Sequence, residues 1–259
     1  MRLRLYCPNV GLAPLVFAEI IEWYAYAFKE QGHKIVAENP ERWVLFGCNM
    51  APRITFPKDT IIIDLEQMGD EGQFHSPIYM EYLRSYTVWT YTLHNQRWLT
   101  SKGIHATHVP LCYSPLMKEL TPSTEDIDVL FVGNPTPQRS QTIQVIRDAG
   151  LPVLWTEAWG EAKDLLMSRA KIVLNLRGFD TVRLFCATRI LPALAQKRFV
   201  ITEDATNLDE YSYLLGGVIV APRSALPSVI RFYLQHPEAR ARIAAEGYRA
   251  VKSKRLSLP

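Results

Sequence analysis

The residues with the most evident chemistry are arginines placed just after strand-like runs. In FVGNPTPQRSQTIQVI an apolar run ends at Gly133, which lets the backbone turn tightly, and at Asn134. A helix start follows, with Arg139 in its first turn. Unpaired N–H groups and the dipole at a helix start favour an anion. An arginine can also fork onto a phosphate with two parallel hydrogen bonds. An ordinary strand-to-helix loop with a solvated arginine fits the same residues, since the segment holds one glycine and matches neither GxGxxG nor a Walker A loop. KIVLNLRG places Arg177 and Gly178 after another strand. TVRLFCATRILPALAQ reads as one helix carrying Arg183 and Arg189, six residues apart. At about 100° per residue the two fall on different faces. Arg183, near the start, is the one favoured for a ligand, and Arg189 reaches in only if Pro192 kinks or ends the helix.

Other polar residues follow strands in the same way. Glu203 and Asp204 close KRFVITED; a carboxylate there accepts ribose hydroxyls in dinucleotide folds, whereas Asp204 or Thr206 could instead cap the next helix. Trp155 and Trp159 flank a strand end and could stack on a base or sugar. In the first half, Glu66 in DLEQM and His94 in TYTLHNQ occupy equivalent positions, while Asp64 falls inside its strand. Asp126 and Asp128 have a DxD spacing but precede their strand, so they read as linker solvation. His105 and His108 lie close together without a cysteine at zinc spacing, and no metal site is expected.

The elements that must position these residues alternate. LRLYCP, KIVAEN, RWVLFGCNM, TIIIDL, TVWTYT and HATHVPLCY read as strands, with helices at LVFAEIIEWYAYAFKEQGH, SPIYMEYLRSY and LHNQRWLTSKG. Residues 114–127, with two prolines and a small acidic cluster, break the rhythm and read as a linker. The strand–helix pattern then restarts at DVLFVGN and runs to the end. Strands separated by helices imply parallel sheets covered on both faces. The expected fold is therefore α/β, two Rossmann-like domains facing across a cleft, over residues 1–120 and 121–259. In such sheets ligands bind beyond the carboxyl ends of the strands, where the residues named above fall.

Composition sets the outer bounds. With 259 residues, 48% hydrophobic and 21% charged, the chain is too apolar for wholesale disorder. No apolar run approaches the roughly 18–20 residues of a membrane span, and MRLRLYCPNVG lacks a signal-peptide core. A soluble, cytoplasmic protein is expected. The four cysteines form no CxxC pair and read as reduced thiols. Net charge is −1 over residues 1–120 and +4 over 121–259, which suits a phosphate-bearing ligand in the second half.

Six segments in order carry a family likeness. DVLFVGNPTPQRSQTIQVIRDAG, AWGEAKDLLMSRAKIVLNLRGF and TRILPALAQKRFVITED resemble the C-terminal half of GT-B glycosyltransferases, most closely CgeB-like and phage or bacterial glycosyltransferase-like proteins. IIIDLEQM, YTLHNQRWL and VPLCYSP resemble that group's N-terminal segments. The resemblance implies a compact GT-B architecture and a sugar nucleotide, a UDP- or GDP-sugar, held by the C-terminal domain. It implies no further cofactor and no DxD-bound metal. Arg139 would face the diphosphate, Asn175 and Arg177 would line the donor pocket, Arg189 would be the family's helix arginine, and Glu203 its acid after the strand. Glu66 and His94 would be the candidate bases for an acceptor hydroxyl. Acceptor classes include a hydroxymethylated pyrimidine in DNA, a glycan or a small molecule. The sequence departs from the family at Cys186 and Pro192, where acids are common, and at Arg177, where histidine is common. Those departures keep open a non-catalytic nucleotide- or nucleotide-sugar-binding role on the same fold.

Overall fold

The computed structural model describes residues 1–71, 75–120 and 123–259. Thr121 and Pro122, within the expected linker, lie outside the described residues. The chain divides into two units, Met1–Leu116 with Leu256–Pro259, and Met117–Arg255.

The first unit runs β1 (Arg2–Tyr6), α1 (Ala13–Glu30), β2 (Lys34–Ile35), β3 (Arg42–Leu45), β4 (Ile61–Asp64), α2 (Pro77–Ser85), β5 (Thr87–Thr90), α3 (Leu93–Ser101) and β6 (Ala106–His108). Its strands form one parallel sheet in the order β2-β1-β3-β4-β5-β6. Every residue of β4 is buried, as expected of a β-branched run covered on both faces. Helix α1 buries Phe17, Ile20, Tyr24 and Phe28 along one stripe. Ser76 caps α2, its Oγ accepting the Tyr79 N–H. The chain's last residues are fastened here, where the Leu256 N–H donates to the Tyr113 carbonyl at 2.8 Å and Gln31 Nε2 to that of Leu258 at 2.7 Å.

The second unit runs β7 (Ile127–Val132), α4 (Pro137–Asp148), β8 (Val153–Thr156), α5 (Gly160–Ser168), β9 (Ala170–Asn175), α6 (Ala187–Ala195) and β10 (Val200–Glu203). After 3-10 turns over Leu208–Gly217 come β11 (Val218–Ala221), α7 (Leu226–Gln235) and α8 (Pro237–Lys252). Its parallel sheet has the order β11-β10-β9-β7-β8. The first crossover leaves β7 for β8, the later ones build on the other side, so the strand order reverses between β7 and β9. In open parallel sheets that reversal opens a crevice at the carboxyl ends of the two strands. Phe131, Ile143, Ile172, Leu174, Ile201 and Ile230 belong to the apolar core that fixes those ends.

Several elements differ from the sequence reading. The strands expected at KIVAEN, RWVLFGCNM and HATHVPLCY shrink to Lys34–Ile35, Arg42–Leu45 and Ala106–His108. The helix expected from Thr181 starts only at Ala187. Upstream of it, Phe185 is buried, stacks on Tyr211 at 4.7 Å, and gives its N–H to Asn207 Oδ1 at 2.7 Å. Those contacts hold residues 181–186 in an irregular path, so Arg183 lies on a loop and Arg189 in the first turn of α6. Asp126 and Asp128 pair with Arg169 and Lys171 at 2.5 and 2.6 Å, holding the start of β7 to β9.

Backbone meets backbone where α8 crosses the 3-10 turns. A Cβ added at Gly217 would stand 2.0 Å from the Gly247 Cα, and one at Gly247 would stand 2.8 Å from Leu194 Cδ2 and 2.9 Å from the Gly217 carbonyl. Neither neighbour can yield without moving main chain. Gly217→Ala is therefore expected to cost at least about 1–3 kcal/mol, the usual range for overpacking, read as a lowered urea midpoint with an unchanged slope.

Candidate functional site

The crevice between β7 and β9 is built around one peptide group. Its carbonyl, on Leu176, accepts from Arg139 Nε at 3.3 Å and from Arg189 Nη1 at 3.1 Å. Its N–H, on Arg177, donates to Glu203 Oε2 at 2.6 Å. One loop, the end of one strand and two helices thus meet on a single plane whose two ends point in opposite directions.

Arg139 is 6% exposed. Its guanidinium lies over the Phe131 ring at 5.3 Å and gives Nη1 to the Asn134 carbonyl at 2.8 Å. Two glycines admit it. A Cβ at Gly133 would stand 3.5 Å from Nη1 and 3.0 Å from the Phe131 ring, and one at Gly178 would stand 3.5 Å from Nη2. The Gly133 carbonyl is held by the Trp155 indole N–H at 2.8 Å. Arg189 also donates to Asn175 Oδ1 at 3.3 Å, an amide oriented by its own Nδ2 bond to Thr202 Oγ1 at 2.8 Å. Among the described residues neither Arg139 nor Arg189 has a carboxylate within ion-pair distance. Burial, reinforced by the Arg189 charge and partly opposed by the Glu203 charge, pulls the Arg139 guanidinium down to about 9; it stays charged at neutral pH with no carboxylate in contact.

A second ring of arginines is compensated. Arg177 reaches the Asp204 carbonyl and Oδ1 at 3.0 and 3.2 Å and Glu203 Oε1 at 3.5 Å. Arg223 gives Nε to Glu203 Oε1 at 2.8 Å and both Nη atoms to Asp180 at 3.1 and 2.7 Å. Arg183 pairs with Asp204. Arg177, Asp180, Arg183, Asp204 and Arg223 line a shallow open pocket of about 630 Å³. The Asp180–Arg223 pair holds the aspartate below and the arginine above its ordinary value.

The structure therefore gathers Gly133, Asn134, Arg139, Asn175, Arg177, Arg189 and Glu203 about one peptide, with Asp204 and Arg183 at its edge. Trp159 stands apart, half-buried at the start of α5. Several expectations change. Arg189, rather than Arg183, reaches the crevice centre, because α6 starts late rather than because Pro192 kinks it. The start of α4 offers few free N–H groups, since Pro137 has none and the Arg139 N–H goes to Thr136 Oγ1 at 3.3 Å. Guanidiniums carry the positive charge instead. Glu203 is buried and committed to Arg177 and Arg223, and Asp204 to arginines, so neither caps the following turns. Asn207 precedes those turns, and Thr206 Oγ1 bonds the Arg183 carbonyl. Trp155 braces the Gly133 loop against Phe131. Asp180 and Arg223 were not foreseen, although Arg223 follows β11 as the other site residues follow their strands.

In the first unit, Glu66 and His94 follow β4 and β5. Fully buried Asp64 accepts from Thr90 Oγ1 at 2.7 Å, the Tyr79 hydroxyl at 2.8 Å, Asn95 Nδ2 at 3.0 Å and the Glu66 N–H at 3.3 Å. Burial raises its carboxyl while those bonds oppose the rise. Asn95 also gives Nδ2 to the Glu66 carbonyl at 2.6 Å and accepts the Met68 N–H at 3.2 Å. His94 Nε2 bonds the Met68 carbonyl at 3.0 Å, which makes that ring nitrogen a donor and a loop clamp. Burial, with the Asp64 charge beside it, pushes the Glu66 carboxyl up to about 8. Among the described residues no three His, Cys, Asp or Glu side chains converge as metal ligands, and no helix is long and apolar enough to cross a membrane.

Comparison with known proteins fits this geometry. Residues 118–256, more than half of the chain, match the family described as glycosyl transferase-like. The chain belongs to this family. A relative in sequence, uncharacterized protein L140 of Acanthamoeba polyphaga mimivirus, is 22% identical over 156 residues, covering 58% of this chain. The chain spans about half the length of that curated relative. Anabaena HepE, solved with UDP and glucose, superposes with a TM-score of 0.66 at 12% identity, over 99% of this chain and 95% of its own. The DNA-modifying enzyme β-glucosyltransferase, solved with and without UDP-glucose, gives 0.63 at 11% identity, over 98% and 94%. The fold is that of the GT-B glycosyltransferases.

Glu66 makes stability depend on pH. Unfolded, its carboxyl ionises near 4.5; folded, near 8. Between those values the unfolded chain has lost the proton and the folded chain keeps it, so this residue's contribution to stability falls as pH rises and levels off above about 8. Glu66→Gln removes the titration. Its melting temperature should match the wild type near about pH 4 and exceed it by several degrees near about pH 9.

Proposed function

We propose that this protein is a glycosyltransferase that moves a sugar from a nucleotide-sugar donor to an acceptor hydroxyl, with the donor's pyrophosphate on the Arg139–Arg189 pair. The observation that carries this reading is the pair itself: two adjoining guanidiniums, one almost fully buried, held by carbonyl and amide oxygens with no carboxylate in contact. Burying positive charge uncompensated is costly. A pyrophosphate would repay that cost and gain charge-assisted hydrogen bonds. As the glycosidic bond breaks, negative charge builds on the departing diphosphate, and arginines already in place stabilise it without reorganising. In this reading they do the work that a divalent cation does elsewhere. Asn175 and Arg177 line the donor pocket, with Arg183, Asp204 and Trp159 at its margin.

For the acceptor hydroxyl, Glu66 is the better base of the two first-unit candidates, because a carboxyl near 8 takes up a proton readily once ionised. His94 shapes the loop that carries it. The solved relatives with UDP and with UDP-glucose make uridine donors the first to test, with GDP-sugars next. Hydroxymethylated DNA stands beside glycans and small molecules as the acceptor, since one relative of this fold modifies DNA. A second reading, donor binding without transfer, is favoured by Cys186 and Pro192 standing where the resembled family has acids.

A thermal-shift screen against UDP-, GDP-, ADP- and CMP-sugars tests the proposal. Release of nucleoside diphosphate should then be measured with hydroxymethylated DNA, a glycan and a small-molecule acceptor. Binding with acceptor-dependent release supports transfer, binding without release supports the second reading, and no response to any nucleotide rejects both. Arg189→Gln should weaken donor binding about 10–100-fold, the worth of a hydrogen bond to a charged group, while Arg189→Lys keeps part of it.

A further inference from the structure

Arg223 lies outside the crevice yet holds the carboxylate that meets the peptide at the crevice centre. Glu203 is 2% exposed and offers two oxygens. Oε2 takes the Arg177 N–H at 2.6 Å, and Oε1 takes Arg223 Nε at 2.8 Å, with Arg177 Nη2 more distant at 3.5 Å. The carboxylate can turn unless Oε1 is held. Arg223 cannot turn freely either, because Asp180 grips both of its Nη atoms. Asp180 belongs to the β9–α6 loop, three residues beyond Arg177. A closed circuit results, running from Arg223 through Glu203 and the 176–177 peptide along the loop to Asp180 and back to Arg223. The opposite end of that peptide is the carbonyl on which Arg139 and Arg189 converge.

We propose that Arg223 is a positioning residue for anion binding, acting through Glu203 to fix the Leu176–Arg177 peptide and so the spacing of Arg139 and Arg189. The inference rests on the pyrophosphate reading of that pair. Without Arg223, Glu203 Oε1 keeps only its long contact to Arg177, the carboxylate rotates, and the peptide loses its preferred tilt. The carbonyl then gathers the two guanidiniums poorly, although neither has been altered.

Inorganic pyrophosphate and UDP serve as probes, with dissociation constants measured by calorimetry well below each variant's melting temperature. Arg223→Gln should weaken both probes about tenfold or more, and Arg223→Lys, which keeps one charged donor for Glu203, should recover part of the loss. Asp180→Asn decides the route. Removing a negative charge beside the pocket would by electrostatics alone strengthen anion binding, so weakening there comes through the arginines that Asp180 steadies, Arg223 by both Nη atoms and Arg177 at 3.7 Å, and a loss matching that of Arg223→Gln assigns it to Arg223. Should Arg223→Gln fail to fold, Asp180→Asn and Arg223→Lys carry the test unaided. Asp180→Asn binding as tightly as wild type or tighter overturns the inference, and so does Arg223→Gln binding like wild type; either leaves the pyrophosphate reading intact. A wild-type protein that binds neither probe overturns that reading and the inference with it.

Discussion

The second unit depends on the orientation of one peptide plane. A trans peptide presents its carbonyl and its N–H in opposite directions and resists twisting about the C–N bond. Pinning one end therefore aims the other. Glu203 pins the N–H of Arg177, and the Leu176 carbonyl is aimed at Arg139 and Arg189. Neutral carbonyl and amide atoms hold two like charges that would otherwise repel, with no carboxylate in contact with either. The topology supplies the place: β7 and β9 are neighbours in the sheet but not in sequence, so the loops leaving them diverge and open the crevice.

Charge is sorted by depth around this plane. Outer arginines 177, 183 and 223 are matched with Asp180, Glu203 and Asp204. Inner arginines 139 and 189 touch dipoles only, and the Glu203 charge reaches Arg139 without contact. The first unit sorts charge the other way. Its deepest carboxylate, Asp64, is met by neutral donors, and the one beside it, Glu66, is driven towards its protonated form. One unit thus buries positive charge with no carboxylate in contact, and the other a carboxyl that burial holds towards its protonated form.

Much of this was legible in the residues. Strand and helix alternation follows from apolar periodicity, and the post-strand rule found Gly133, Arg139, Arg177, Glu203 and Asp204 because it depends on chain direction alone. Arg189 was ranked second by helix geometry because nothing local shows that a helix begins at Ala187. That start is set by Phe185 against Tyr211 and Asn207, contacts made across more than twenty residues. Arg139 was read as the partner of a helix dipole, whereas Pro137 and the Thr136 cap leave that helix start little to give. Asp180 and Arg223 gain meaning only through each other, and a pairing 43 residues apart has no local sign.

Trp155 carries a further consequence. Its indole holds the Gly133 carbonyl and its ring meets Phe131 edge-on at 5.9 Å, while the other face of the story, the Arg139 cation, lies over that same Phe131 ring at 5.3 Å. The indole is thus linked to the buried charge through the Phe131 ring and through the Gly133–Asn134 turn, whose two carbonyls accept from the indole N–H and from Arg139 Nη1 respectively. An anion drawn to that charge would change the electric field across the indole, and Trp155 would register it in its emission.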